Sequence, residues 1–410
     1  MKIRSSSILG ALKIRDFRLL WFGLFISAVG SQMQTVAINW HVYLLTKSAL
    51  SLGLIGLSRS LPLIIFSIFS GVAADIFDRK KLVIVAQIIM AICALILTIA
   101  SFSGNITPLL IYVITAVNSL ATSVDIPGRH SLYPLIVPKK MFANATSLIS
   151  IMWRASQILG PAIGGLIIAS LGVKMVYLIN AVSFLTIIVA LFLIKPKPQT
   201  FASRQFKFSA VREGFSYVFK SDLIRSTMLL DFFASFFATA NVLLPIYVKE
   251  ILLAGPKELG LLYAAAAVGG VVGGLLIASI KHLKNQGKII LVSVFVYGLS
   301  TLVFAFSKSF YLCFICLAIA GFCDIISGVI RTTLRQLKTP DVIRGRMVAV
   351  NMIFFYGGPE LGELEAGLLA SVIGAPLSVL VGGIGAVAAT IIIGLRTPKL
   401  RKYQGNELLN

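Results

Sequence analysis

The sequence contains little charge, and acidic residues are especially scarce. Charged residues make up 13% of the 410 residues, with 15 Asp and Glu against 37 Lys and Arg. Apolar side chains make up 58%, and a folded water-soluble domain could not keep that much apolar surface away from water. The composition therefore excludes an ordinary soluble protein and predicts an integral membrane protein.

Histidine and cysteine are also rare, with three and four residues. Three histidines without matching acidic ligands do not predict a metal centre, and we expect no metal and no cofactor. Cys313 and Cys316 have C-x-x-C spacing, but all four cysteines lie in apolar stretches, which favours small buried side chains over a redox site. The sequence also lacks a Ser-His-Asp set and a phosphate-binding loop, so we do not expect an enzyme.

The sequence is instead rich in long, continuous apolar runs. Only helices and closed barrels span lipid, and these runs do not alternate as barrel strands do. Because a span needs about 20 apolar residues, the pattern predicts an all-α membrane protein with twelve transmembrane helices. The expected spans are 18–45, 50–76, 81–102, 107–128, 143–170, 174–194, 222–250, 258–281, 287–307, 309–330, 346–372 and 375–395.

The basic residues divide unevenly between the two sides of these spans. Thirty of the 37 Lys and Arg fall at the termini and in loops on one side, among them Arg129, Arg331 and Arg335. The positive-inside rule places that side, with both termini, in the cytoplasm. We expect the membrane to be a bacterial inner membrane. The same rule explains the excess of positive charge without a nucleic-acid partner.

A polar central segment at 195–221 separates six spans from six. We therefore expect a bundle at 1–194, a cytoplasmic linker with a short amphipathic surface helix at 195–221, and a second bundle at 222–410. The halves repeat: Asp125 precedes Gly160-Pro161 by 35 residues, and Asp324 precedes Gly358-Pro359 by 34. Such a repeat predicts two pseudo-symmetric six-helix bundles.

The loop after the second span reads Gly71-Val-Ala-Ala-Asp75-Ile-Phe-Asp78-Arg79-Lys80. It resembles the loop signature of the major facilitator superfamily, which implies transport by alternating access. Gly71 permits close helix approach, and Asp75 at the membrane edge can pair with Arg79 or with a helix N-terminus. We interpret Gly71, Asp75, Arg79 and Lys80 as a cytoplasmic gating latch, with ordinary membrane-edge charges as the alternative.

The fifth span contains Gly160-Pro161-Ala-Ile-Gly164-Gly165, which resembles a signature of proton-coupled exporters in the superfamily. The residues by themselves indicate a kinked, tightly packed helix. Across nearly the whole chain the sequence is similar to the enterobactin-exporter and macrolide-efflux branch. The motifs that carry this likeness are Phe17-Arg18-Leu-Leu-Trp21, Arg59-Ser-Leu-Pro62, Asp125-Ile-Pro127 and Phe142-Ala-Asn144-Ala145. Ser31 stands where many relatives have an acid after the glycine of the first span.

A few charged residues fall inside the expected spans, where they are costly and usually functional. They are Arg59, Arg154, Asp231, Glu360, Glu363 and Glu365. Glu360 and Glu363 are three residues apart and share a helix face. Glu360, Glu363, Asp231, Arg154 and Arg59 are therefore candidates for proton or substrate coupling, and a structural ion pair is the alternative. Asp125 and Asp324 are interpreted as ion pairs at helix ends.

These features together predict a monomeric secondary transporter. We expect a proton-coupled exporter, an antiporter, of a small amphipathic molecule such as a siderophore or a drug. Its partners are then the small-molecule substrate, protons and the lipid bilayer. A lysophospholipid flippase and a metal-ion exporter on the same fold remain alternatives.

Overall fold

The computed structural model describes residues 9–195, 208–238, 241–280 and 283–405, and helices account for nearly all of them. No strand occurs within these ranges, which confirms the all-α prediction. The helices are α1 (Arg15–Thr46), α2 (Ala49–Ile76), α3 (Arg79–Phe102), α4 (Pro108–Ile136), α5 (Phe142–Leu171), α6 (Val173–Leu193), α7 (Phe208–Lys220), α8 (Asp222–Ala238), α9 (Leu244–Ile246), α10 (Pro256–Ser279), α11 (Gln286–Phe306), α12 (Phe310–Lys338), α13 (Asp341–Ile373), α14 (Ala375–Arg396) and α15 (Pro398–Arg401).

Eleven helical segments of the described chain are long and apolar enough to cross a membrane. The predicted eleventh span corresponds to α13, which has 33 residues but is not one of these eleven. Three glutamates, Glu360, Glu363 and Glu365, lower its hydropathy. The helix α13 therefore falls short of the apolar composition of a span because it carries more acidic residues within its predicted span than the other helices of the described chain do.

Three predicted spans differ from the helices that form. The helix α4 continues to Ile136 through Pro127 and Pro134, and α12 continues to Lys338, each about two turns beyond the predicted end. The predicted span 222–250 is not one regular helix: α8 ends at Ala238, and short 3₁₀, α and π turns follow from Asn241 to Ile251. Pro245 contributes to the irregularity, because it has no backbone N–H to donate to the preceding turn.

The chain forms two compact units. The first comprises residues 1–45 and 61–206, and the second comprises 46–60 and 207–410. The first part of α2, up to Ser60, therefore packs with the second unit. In each unit one sharp turn has the same form: Gly172 joins α5 to α6 and Gly374 joins α13 to α14, both at φ +84°. Glycine suits this position because L side chains are strained at such angles.

The predicted amphipathic linker helix is present as α7, and its described part packs within the second unit. Val218 is buried in a cluster with Ile224, Met228, Met347 and Val350. Tyr217 also donates a hydrogen bond from its hydroxyl to the carbonyl of Lys338 at 3.0 Å. The described part of the helix therefore covers apolar side chains with α8 and α13. Residues 196–207 of the predicted linker, with Phe206 of its apolar side among them, lie outside the described residues.

Candidate functional site

The second unit places Arg59 of α2 against the acidic face of α13. Its Nη1 lies 3.5 Å from Oε2 of Glu363, and both side chains are largely buried. Glu360, one turn before Glu363 on the same helix face, is near enough for its carboxylate to act on the same guanidinium. Two carboxylates thus share one arginine, so the formal charge of Arg59, Glu360 and Glu363 is −1 when both acids are ionised. We call these three residues the acidic cluster.

Glycines bring the two helices of the acidic cluster together. A Cβ built on Gly56 would lie 2.6 Å from Cβ of Glu363 and 2.8 Å from the carbonyl oxygen of Glu360. One turn earlier, a Cβ on Gly53 would lie 3.0 Å from Cα of Gly367. Such an approach is open only to residues without side chains. The ion pair therefore depends on this contact of α2 with α13.

Glu360 differs from Glu363 in its hydrogen bonding. Its Oε2 is buried and receives no hydrogen bond from any residue that the structure describes. A buried carboxylate oxygen without a donor is unfavourable when charged, and a bound proton relieves that cost. Glu365, the third acid of α13, is partly buried and faces a different direction on the helix.

Asp231 lies in a second group of charges with the opposite balance. Its Oδ1 lies 2.9 Å from Nη2 of Arg331, and its Oδ2 lies 3.3 Å from Nη2 of Arg335. Arg335 also donates to the side chain and carbonyl of Thr227, at 3.2 and 2.6 Å, and to Oδ1 of Asn351. One buried carboxylate of α8 thus holds two buried guanidinium groups of α12, and Arg335 also reaches Asn351 of α13. We call Asp231, Arg331 and Arg335 the basic cluster.

The basic cluster corrects the prediction for two of its members. Arg331 and Arg335 were expected among the cytoplasmic loop charges, but both lie on α12 and are only 3% and 2% exposed. The expected pair of Arg331 with Asp324 exists at 3.6 Å, but Asp231 is closer. The sequence pattern predicts too short a helix because arginine normally marks the membrane edge, and the local sequence does not show a buried acid on another helix.

In the first unit, Asp125 forms an ion pair with Arg129 at 2.7 Å. Both lie inside α4, so the prediction of a pair is right and its assignment to a helix end is wrong. Gln87 of α3 donates to the other oxygen of Asp125 at 2.9 Å, and the guanidinium of Arg129 stacks 5.2 Å from the ring centre of Trp153. This pair has one carboxylate for one guanidinium, so neither charge is in excess.

The residues of the predicted gating loop lie at the junction of α2 and α3. Arg79 donates to the carbonyl of Ser131 at 3.2 Å, and Lys80 donates to the carbonyl of Ile194 at 2.8 Å, just after α6. A cation at a helix C-terminus is favourable because it meets unpaired carbonyls. The backbone of Gly71 and Asp75 lies in α2, but their side chains are outside what the structure describes. The latch therefore remains a prediction.

The fifth-span motif packs α5 on α1. A Cβ on Gly160 would clash with Gln32, and one on Gly164 would lie 3.0 Å from Cα of Met33. Pro161 and Gly165 are buried beside them. Arg154, seven residues before Pro161 on the same helix, is exposed and donates to Oε1 of Gln157 at 3.2 Å. Within the first unit, the partner of Arg154 is therefore a neighbour on its own helix.

Comparison with known proteins agrees with this fold. Residues 6–408 match the family described as transmembrane secretion effector. Over 393 residues the chain is 27% identical to the protein named enterobactin exporter EntS of Salmonella choleraesuis strain SC-B67, covering 95% of this chain and 94% of that protein. The protein of the same name in Citrobacter koseri is 26% identical over 391 residues, covering 95% and 93% of the two chains.

Solved structures of transporters share the architecture. The crystal structure of the nucleoside transporter NupG aligns with a TM-score of 0.75 over 95% of this chain and all of that one, at 14% identity. This likeness concerns the fold alone, and it confirms the predicted major facilitator architecture. The chain is therefore a multi-pass membrane transporter that belongs to the transmembrane secretion effector family of the major facilitator superfamily.

Proposed function

We propose that the protein is a proton-coupled exporter, an antiporter that binds its proton in the acidic cluster. The observation that carries this proposal is the ratio of two buried carboxylates to one guanidinium around Arg59. One bound proton makes the cluster neutral, whereas its ionised form leaves an uncompensated charge in a low-dielectric environment. Uptake and release of one proton are therefore tied to the contact between α2 and α13.

Glu360 is our candidate for the proton carrier, and Glu363 for the acid that anchors Arg59. Support for this division comes from the 3.5 Å contact of Glu363 with Arg59 and from the buried, unpartnered Oε2 of Glu360. Asp231 is the weaker candidate, because two arginines surround it and its neutralisation would increase an existing surplus of positive charge. Arg154 remains a candidate for substrate contact only.

The proposed cargo is a small amphipathic molecule, such as a siderophore or a drug. The relatives named enterobactin exporter support the siderophore class and the export direction.

The remaining parts of the proposal are a monomer in a bacterial inner membrane, both termini in the cytoplasm, and a latch formed by Asp75. A metal ion is a weaker cargo, because no group of three or more His, Cys, Asp or Glu suited to a metal occurs among the described residues.

The test uses purified protein in liposomes with an imposed pH gradient. Enterobactin and ethidium serve as two defined probes, and transport is compared for wild type, Glu360→Gln and Glu363→Gln. Glu258→Gln is the matched control, since Glu258 accepts a hydrogen bond from the amide of Gly255 at the start of α10 and lies outside the cluster. Gradient-driven transport should be lost in Glu360→Gln and retained in Glu258→Gln.

Probe exchange without a gradient separates coupling from binding. Glu360→Gln should still exchange a bound probe across the membrane, since it retains the shape of the site. Full gradient-driven transport by both Glu→Gln variants would exclude the acidic cluster as the coupling site. If the wild-type protein transported a probe equally fast with and without the pH gradient, proton coupling itself would be excluded.

A further inference from the structure

The helices α11 and α14 of the second unit pack closely, and their contacts fix which residues lie level with one another. A Cβ built on Gly298 would lie 3.1 Å from the backbone nitrogen of Val387, and one built on Gly394 would lie 3.3 Å from Cδ1 of Leu291. From the first contact to the second, α11 goes back seven residues while α14 advances seven. The two helices are therefore antiparallel, and the start of α11 lies beside the end of α14.

Each of these helices carries an exposed cation at that shared end. Lys288 lies in the first turn of α11, and Arg396 is the last residue of α14. The register that joins Leu291 to Gly394 continues to this end and places the backbone of Lys288 level with that of Arg396 and Thr397. Neither cation forms an ion pair with an acid in the part of the chain that the structure describes.

The short helix α15 folds back onto the same end of the unit. Its Leu400 is buried in a core cluster with side chains of α8 and α11. The amide of Gly287 donates to the carbonyl of Tyr403 at 2.9 Å, and a Cβ on Gly287 would overlap the carbonyl oxygen of Leu400. These backbone contacts hold two further exposed cations beside the start of α11. They are Arg401 and Lys402.

The acid at this end of the unit, Asp222, already binds two other cations. Its Oδ2 lies 2.9 Å from Nζ of Lys399, and its Oδ1 lies 3.2 Å from Nη2 of Arg225. The remaining four cations have no acidic partner within the described ranges. We call these four the basic rim: Lys288, Arg396, Arg401 and Lys402.

The surface of α11 and α14 next to the basic rim is apolar and exposed. Val292 follows Lys288 by four residues and Ile392 precedes Arg396 by four, so each apolar residue shares a helix face with a cation. The exposed side chains continue along both helices, as Val292, Leu299 and Val303 on α11 and Ile384, Ile392 and Leu395 on α14. Each cation thus ends an apolar stripe, and the two stripes border the seam between the helices.

We propose that the basic rim and this seam bind one anionic phospholipid of the membrane, with its phosphate on the cations and its acyl chains along the two stripes. Long basic side chains reach headgroups while their stems cover apolar surface, and basic pockets between transmembrane helices suit anionic headgroups. The positive-inside rule explains cations at this membrane edge but does not require four of them around one seam. The lipid holds α15 and the end of α14 against α11 and is distinct from the exported cargo.

The test titrates delipidated full-length protein in detergent with phosphatidylglycerol, phosphatidylcholine and glycerol 3-phosphate. Native mass spectrometry follows the first binding event. Wild type should bind phosphatidylglycerol at least about tenfold more tightly than either other probe. Lys288→Gln/Arg396→Gln should weaken phosphatidylglycerol binding about thirtyfold, since each Lys or Arg near an anionic lipid contributes roughly fivefold. Phosphatidylglycerol should also raise the unfolding temperature of wild type in a saturable way.

Lys139→Gln/Lys140→Gln is the matched control, because it removes two exposed cations from the turn before α5 in the first unit. Its affinity for phosphatidylglycerol should stay within about twofold of wild type. If the first double variant fails to fold, Arg401→Gln/Lys402→Gln tests the same rim outside the membrane-spanning helices. Equal losses in the rim and control variants, or equal affinity for the two phospholipids, would refute a specific site. Glycerol 3-phosphate that binds as tightly as phosphatidylglycerol would assign the rim to free phosphate instead of lipid.

Discussion

The acidic and basic clusters lie in the same unit and have opposite charge ratios. Around Arg59, two carboxylates face one guanidinium; around Asp231, two guanidiniums face one carboxylate. A proton can neutralise the first group but only adds to the imbalance of the second. The difference suggests that the cluster with excess acid is suited to reversible protonation, whereas the cluster with excess base holds three helices together.

The largest expected effect is that of Asp231→Asn on stability. The change keeps the shape of the side chain but leaves Arg331 and Arg335 buried without their shared carboxylate. We expect a loss of about 3–5 kcal/mol, the usual result of breaking a buried ion pair. Thermal unfolding in detergent and the yield of monodisperse protein measure it. The double variant Asp231→Asn/Arg331→Gln should recover part of the loss, and wild-type stability in the single variant would contradict a structural role.

Gly56→Ala should have the next largest effect, because it attacks the helix contact under the acidic cluster. The new methyl group would lie 2.6 Å from Cβ of Glu363, so α2 and α13 must separate. Overpacking of this kind costs about 1–3 kcal/mol. Gly345 is the matched control because it is helical with open space beside it, so Gly345→Ala should leave stability unchanged or raise it by up to about 1 kcal/mol, the helix preference of Ala over Gly. Equal unfolding temperatures for Gly56→Ala and wild type would refute the close contact.

Glu360→Gln sharpens the comparison because transport and stability should respond differently. Removing a charge from a buried oxygen without a donor should change the free energy of unfolding by less than about 1 kcal/mol or increase it. Gradient-driven transport should nevertheless be lost. Unfolding and transport are measured on one preparation. Asp231→Asn serves for comparison, because its main effect should be on stability. Severe unfolding of Glu360→Gln would assign the acidic cluster to structure instead of coupling.

The smallest effect is expected for Asp324→Asn. Its carboxylate is 57% exposed and lies 3.6 Å from Arg331. Exposed ion pairs contribute about 0–1 kcal/mol, so the unfolding temperature should hardly move. The result separates two descriptions of the basic cluster: a shift as large as that of Asp231→Asn would make Asp324 a full member and remove the excess of buried positive charge.

The identity of the candidate residues could be predicted, but their partners could not. Arg59, Asp231, Glu360 and Glu363 stand out because charge inside an apolar span is unusual. Arg335 and Asn351 were missed as site residues, since an arginine at the end of a span is read as a loop charge and an asparagine gives no signal of its own. A contact such as that of Arg59 with Glu363 joins residues 304 positions apart, which local pattern cannot detect.

The sequence by itself determined the fold class, because spans of about 20 apolar residues must become helices in lipid and the basic loops bias their orientation. The loop motif around Asp75 also indicates the superfamily, and the repeat of Asp and Gly-Pro indicates two bundles. Only the tertiary structure decided how the charges are grouped. That grouping depends on where helices approach, as Gly56 approaches Glu363, and on how far α12 extends beyond its apolar segment to bury Arg331 and Arg335 against Asp231. Helix packing sets these distances, and a linear pattern of hydropathy contains no measure of them.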